Sequence, residues 1–314
     1  MRNKTSTKKA GIIWVGLFVS LVILSGIAYS EKGENSKSRF SFKLTSGLSY
    51  MSLGEINESL NTQGDLGRRA EKFWDVEFSF VDEIKKINYG INFEGELRMD
   101  ISSRFAIGLS IGYIHAKRES YSILRGEDRS RTYTSRESYE QIVNIIPVKL
   151  GIYYRLPLFP RTALLLNVGG GYYFTKSSLY SDQHRVSYWF DDASLESSWT
   201  EHTKYVNGDN FGYHGGIGFE YSLGNNLSII IEWQERHVRI KELKGKDIMV
   251  TSDGDKMKTY GTLWYHNFEI DGKYYTNLVL RDIRLEPYKP TQTVREAVFD
   301  LSGYSLRVGI IIKL

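Results

Sequence analysis

The sequence predicts an all-β fold, an eight-stranded antiparallel up-and-down transmembrane β-barrel, and three observations predict it. Composition is the first: the 314 residues are rich in Gly (29) and aromatics (14%), poor in Pro (5) and free of cysteine, a balance that suits strands and turns. The second is a period-2 alternation of apolar and polar residues that recurs eight times beyond residue 31. Strict alternation marks a strand with different surroundings on its two faces. The third is that the connections alternate between short and long, the pattern of a barrel with tight periplasmic turns and long extracellular loops.

Taken in order, the N-terminus reads as an export signal. Arg2, Lys4, Lys8 and Lys9 precede an apolar run from Ile12 to Leu24, and Ala28-Tyr29-Ser30 offers small residues at −3 and −1 of a cleavage site before Glu31. Residues 1–30 are therefore expected to be a signal peptide and 31–314 the barrel domain; an uncleaved single-pass anchor is the alternative. Those four basic residues account for the formal charge of +4, and without them 37 basic residues face 37 acidic ones. A nucleic-acid partner is thereby excluded. With a mean hydropathy of −0.34 and no other long apolar run, a bundle of transmembrane helices is excluded too. Absence of cysteine removes disulfides, thiolate metal sites and a lipidated N-terminal cysteine.

The eight segments follow. Phe40 to Tyr50 sets Phe40, Phe42, Leu44, Leu48 and Tyr50 against Ser41, Lys43, Thr45, Gly47 and Ser49. Tyr89 to Ile101 sets Ile91, Phe93, Leu97 and Met99 against Asn92, Glu94, Glu96, Arg98 and Asp100. The others run from Phe105 to Tyr113, Ile146 to Leu156, Leu164 to Phe174, Phe211 to Leu223, Leu227 to Trp233 and Tyr304 to Leu314. Pro147 lacks a ladder donor, so a bulge is expected there. Ser102-Ser103-Arg104, residues 157–161 and Gly224-Asn225-Asn226 are short turns, whereas long polar loops are expected near 51–88, 116–140, 175–209 and 240–298.

A soluble barrel with its apolar face inside is the competing reading of the same alternation. Three features favour the membrane: aromatics such as Tyr50, Tyr89, Tyr113, Phe174 and Trp233 gather near strand ends, small residues line the polar face, and the chain ends on an apolar strand residue. Ten strands become the alternative if Trp74 to Phe80 and Tyr274 to Leu285 also span. The alternation of turn lengths places them instead in hairpins above the membrane.

With these strands in place, the chain resembles the small outer-membrane β-barrel superfamily of Gram-negative bacteria, which includes the outer-membrane protein A transmembrane domain and the X-type and W-type barrels. The closing strand carries the sharpest local likeness. Arg307, Gly309, Ile312 and Leu314 have the spacing of the family's insertion signal, with Leu314 where an aromatic is usual. The resemblance implies residence in the cell outer membrane, insertion by the barrel-assembly machinery, and contact with outer-membrane lipid and lipopolysaccharide.

The inner face gathers most of the charged strand residues. An eight-stranded barrel is only wide enough for side chains to fill, and Lys43, Glu94, Glu96, Arg98, Asp100, Lys149, Arg155, Glu220, Glu232, Arg236 and Arg307 point inward. Opposite charges confined there should pair. Two stacked layers are expected: Lys43, Arg98, Asp100, Arg155 and Glu220 near the periplasm, the others above, with Glu96 and Arg236 coupled. A salt-bridge-plugged lumen and a structural or surface-interaction role follow; a narrow porin-like channel for small solutes is the alternative. An outer-membrane lipid hydrolase would want His-x-Ser on a strand face, which none of the six His provides. A protease would need His115, His214 or His237 beside loop acids such as Asp191 and Asp192. The chain is expected not to be an enzyme and to need no metal or cofactor. The basic stretch 117–136, with Lys117, Arg118, Arg125, Arg129, Arg131 and Arg136, offers a surface for lipopolysaccharide phosphates or an extracellular ligand.

Overall fold

The computed structural model describes residues 39–62, 77–82, 85–127, 131–190, 193–270, 272–283, 287 and 292–314. The expected signal peptide, Asp191, Asp192, Arg129 and Trp74 lie outside them. The strands are β1 (Phe40–Tyr50), β2 (Glu77–Asp82), β3 (Tyr89–Asp100), β4 (Phe105–Glu127), β5 (Arg131–Phe159), β6 (Thr162–Trp189), β7 (Ser194–Ser222) and β8 (Leu227–His237), followed by β9 (Arg239–Ile240), β10 (Lys244–Thr251), β11 (Lys256–Ile270), β12 (Lys273–Arg281), β13 (Thr293–Glu296), β14 (Phe299–Asp300) and β15 (Gly303–Lys313).

Eight of these close a ring. Going round, β1 pairs β3, then β4, β5, β6, β7, β8 and β15, which returns to β1, every pair antiparallel. No strand in the ring has a free edge at this level, as a wall facing lipid requires. β1, with 11 residues, is about 36 Å long at 3.3 Å per residue, and tilted in a barrel it spans roughly one bilayer core. Leu48, Tyr89, Phe93, Leu150, Val168, Phe211 and Ile231 stand exposed on the outer face. Their cost in water vanishes in lipid.

The turns show why the chain reverses where it does. Ile101 and Ser102 donate backbone N–H groups to Phe105 O, while Ser102 Oγ accepts from the N–H groups of Arg104 and Phe105, a serine side chain standing in for a backbone acceptor. Leu223 N donates to Leu227 O across Gly224-Asn225-Asn226.

Two local expectations are corrected. Pro147 carries no bulge: the β4–β5 register is the same on either side of it, Ile111 opposite Val148 and Ile114 opposite Ile145. The ladder skips the missing donor, and Gly112 opposite leaves room, since a Cβ there would sit 3.1 Å from the proline ring. The register shift occurs at Pro157–Phe159, beside the periplasmic turn. The segments 116–140 and 175–209 are also mostly strand. β4 and β5 stay paired out to Glu127 opposite Thr132, and β6 and β7 out to Trp189 opposite Ser194. Strands of 28 and 29 residues reach about 95 Å. Alternation fades above the membrane because both faces there meet polar surroundings, while the backbone ladder continues.

Above the membrane, β10, β11 and β12 add to β7 in turn, β13 pairs β11, and β2 pairs β4. Residues 54–62 form a helix, α1, within the connection expected as a loop. It starts where Leu53 O accepts from Ile56 and Asn57 N–H, and it turns Ile56 and Leu60 inward. The extracellular wall encloses a core that includes Met51, Leu53, Ile56, Val143, Ile145, Leu263, Leu280 and Phe299.

Candidate functional site

The lumen holds the densest chemistry. Lys43 Nζ lies 2.7 Å from Glu96 and 2.9 Å from Glu232. Arg307 binds both Glu232 and Glu94, and Lys149 lies 2.6 Å from Glu94. Arg98 Nε donates to Glu96, whose other oxygen accepts from Tyr153 OH at 2.7 Å. The result is one continuous chain from Arg98 through Glu96, Lys43, Glu232, Arg307 and Glu94 to Lys149. Each of these seven side chains is buried. Strand register builds it: Lys43 sits opposite Glu96, and Arg307 opposite Glu232, so opposite charges meet across the pleat.

Glycines make the space. A Cβ on Gly108 would come within 2.6 Å of Glu96 Oε1, and one on Gly171 within 2.7 Å of Lys149 Cγ. The small inner-face residues are therefore the complement of the long charged ones, and the barrel section is filled. The Tyr153 ring lies beneath two cations, 4.1 Å from the Arg98 guanidinium and 5.4 Å from Lys43 Nζ.

Arg236, Lys43 and Arg98 are placed differently from the expected two layers. Among the described residues Arg236 meets no carboxylate: its Nε donates to Leu301 O, Nη1 to Ser49 Oγ and Ser305 Oγ, and Nη2 to Tyr50 O. Neutral acceptors at the strand ends satisfy it, so Glu96 and Arg236 are not coupled. Asp100 is exposed at the periplasmic rim, and Arg155 pairs with Glu220 there at 3.2 Å, apart from the main chain of charges. Lys43 and Arg98 belong to the same network as the residues expected above them. Periodicity gave the inner face, but shear between tilted strands, which no single strand reveals, set the heights.

Above Arg236 the interior turns apolar. Tyr173, Ile145, Ile114, Met51, Leu53, Ile87 and Leu301 form a second closure directly over the charges. Asn57 fastens its lid: the amide donates to Ser52 O, Ile87 O and Asn88 Oδ1, and its Oδ1 accepts from Ile87 N. Glu58 accepts from Tyr265 and Thr276, and Glu55 binds Arg295. The space between the two closures is a cavity of about 20 Å³, enough for one or two waters.

The histidines do not converge. His115 bonds Asn144 and His237 pairs with Glu235 on the outer face, while His214 is buried in the lumen. Among the described residues, no group of three His, Asp or Glu is arranged to hold a metal. Lys117 is held between Glu119 and Glu140 at 2.9 and 2.8 Å, which raises its pKa and neutralises part of the basic stretch. The insertion-signal residues Arg307, Gly309, Ile312 and Leu314 lie on or directly after β15, with Arg307 in the lumen and Gly309 opposite Thr45 of β1.

No curated protein sequence matches the chain. Among solved structures it is similar to the outer membrane protein OprG from Pseudomonas aeruginosa (9% identity over 89% of this chain and 98% of that one, TM-score 0.34). It is also similar to a major outer membrane protein from Thermus thermophilus (11%, 88% and 99%, TM-score 0.35) and to the outer membrane protease OmpT from Escherichia coli (10%, 89% and 98%, TM-score 0.32). The family model of the outer membrane protein beta-barrel domain matches residues 74–275. That match covers well over half of the chain, which therefore belongs to the outer membrane protein β-barrel family and resides in the cell outer membrane.

Proposed function

We propose that this barrel does not conduct and that its role is structural or one of surface interaction, carried by the extracellular β-extension. The supporting observation is the double closure of the lumen: the ionic network from Arg98 to Lys149, then the apolar layer over Arg236. A solute would have to break buried ion pairs and then displace a packed core, each costing several kcal/mol. The same reading includes export by a signal peptide cleaved before Glu31, assembly by the barrel-assembly machinery, and outer-membrane lipid, lipopolysaccharide and an extracellular ligand as partners. Planar-bilayer recording of the purified barrel tests it. No steady unitary conductance is expected; reproducible channels altered by replacing Glu232 would establish a narrow solute channel instead. Hydrolysis of a lipid or peptide by the purified barrel, lost on changing one histidine, would establish an enzyme.

A further inference from the structure

The periplasmic mouth differs from the rest of the lumen in having both space and unmatched positive charge. A cavity of about 60 Å³ opens there, room for about two waters or one small polyatomic ion. Arg98, Arg104, Arg155 and Lys313 line it together with Asp100 and Glu220. Arg155 and Glu220 pair with each other, leaving three cations and one carboxylate.

Arg98 is the informative group. It is 5% exposed, and its Nε is committed to Glu96, but its Nη2 has no hydrogen-bond partner among the described residues. The buried network behind it joins four cations, Lys43, Arg98, Lys149 and Arg307, to three carboxylates, Glu94, Glu96 and Glu232. Among the described residues one positive charge is therefore unmatched, and Arg98, which carries the unpartnered nitrogen, is the member of the network that lines the cavity. The register adds a second cation and a hydroxyl: Ser41 stands opposite both Arg98 of β3 and Lys313 of β15. The two cations thus flank Ser41 about 10 Å apart at their Cα atoms, two strand spacings. Tyr153 stacks on the guanidinium face.

We propose that this mouth binds a small oxyanion, a phosphate or a carboxylate, between Arg98 Nη2 and Lys313, with Ser41 as a third donor. Arginine, lysine and hydroxyl donors suit such a ligand and disfavour a cation. The exposed Ser102-Ser103-Arg104 turn borders the cavity, so entry is from the periplasmic side and neither lumen closure needs to open.

The test is calorimetric titration of the intact folded barrel, in phosphate-free detergent at constant ionic strength, with sodium phosphate and separately with sodium acetate. Saturable binding of one anion per barrel is expected, and the tighter of the two probes identifies whether phosphate or carboxylate is the preferred source. Lys313→Gln should weaken binding at least about tenfold, as should Arg98→Gln where heat-modifiable migration shows it folded. If Arg98→Gln fails to fold, Ser41→Ala takes its place with a smaller loss expected. No saturable binding of either anion, or unchanged affinity in Lys313→Gln, would overturn the site.

Discussion

The membrane half and the extracellular half of this barrel share four strands and one pleat, yet their polarities are opposite. Along β5 the inner face reads Arg155, Tyr153, Lys149 within the membrane and Ile145, Val143 above it. The outer face reads Tyr154, Ile152, Leu150 below and Asn144, Ser138 above. The pleat never changes phase; the residues on it do. Below, lipid takes the apolar side chains and the interior must satisfy charges by pairing them. Above, water takes the polar side chains and the interior is an ordinary hydrophobic core. Where the surroundings change, Arg236 is bonded to neutral acceptors and closes the seam between β1, β8 and β15.

The membrane half depends most on Glu232, which serves both Lys43 and Arg307. Glu232→Gln should destabilise the barrel by about 3–5 kcal/mol, the usual consequence of removing one partner from a buried pair, read as a lower urea midpoint in vesicles. Ile145→Ala, at a fully buried position of the upper core, should cost about 2–4 kcal/mol. Hydrogen exchange should rise there in the extracellular strands while the membrane half keeps its protection. Equal loosening of both halves would show them to be one cooperative unit.

A smaller effect separates ionic coupling from mere proximity in the lumen. Lys43→Met combined with Glu232→Gln should deviate from additivity by about 0.5–3 kcal/mol, whereas Glu96→Gln with Arg236→Met should add to within roughly 0.5 kcal/mol. Coupling in the second pair would contradict the placement of Arg236 among neutral acceptors. The smallest effect concerns pH in the extracellular half. Burial raises the Glu137 carboxyl above its ordinary value, so its protonated form favours folding. That contribution is present below the unfolded pKa, near 4.5, and is lost as pH rises through the folded value. Glu137→Gln should flatten this dependence, by less than about 1 kcal/mol, in exchange rates of β5.

Much of this was legible in the chain itself. Alternation with period 2 is a property of single strands, so residues such as Leu48, Phe93 and Ile231 are assigned outward, and Lys43, Glu94 and Arg307 inward, before any pairing is known. Short turns at Ser102 and Gly224 give the order of the strands, because an antiparallel hairpin leaves the chain no other neighbour. What pairs with what inside the lumen was decided only by the tertiary structure. Closing a tilted ring shifts each strand along the next, and that shift brought Lys43 to Glu96 and Glu232 while leaving Arg236 to Ser49 and Ser305. The upper core was hidden for a related reason. Ile56 and Leu60 lie in a helix too short to show a period, Leu53 directly before it, and their partners Val143, Leu263 and Leu280 lie far off in sequence. Their common burial exists only once β4 to β7 rise beyond the membrane and β10 to β12 complete the wall around them.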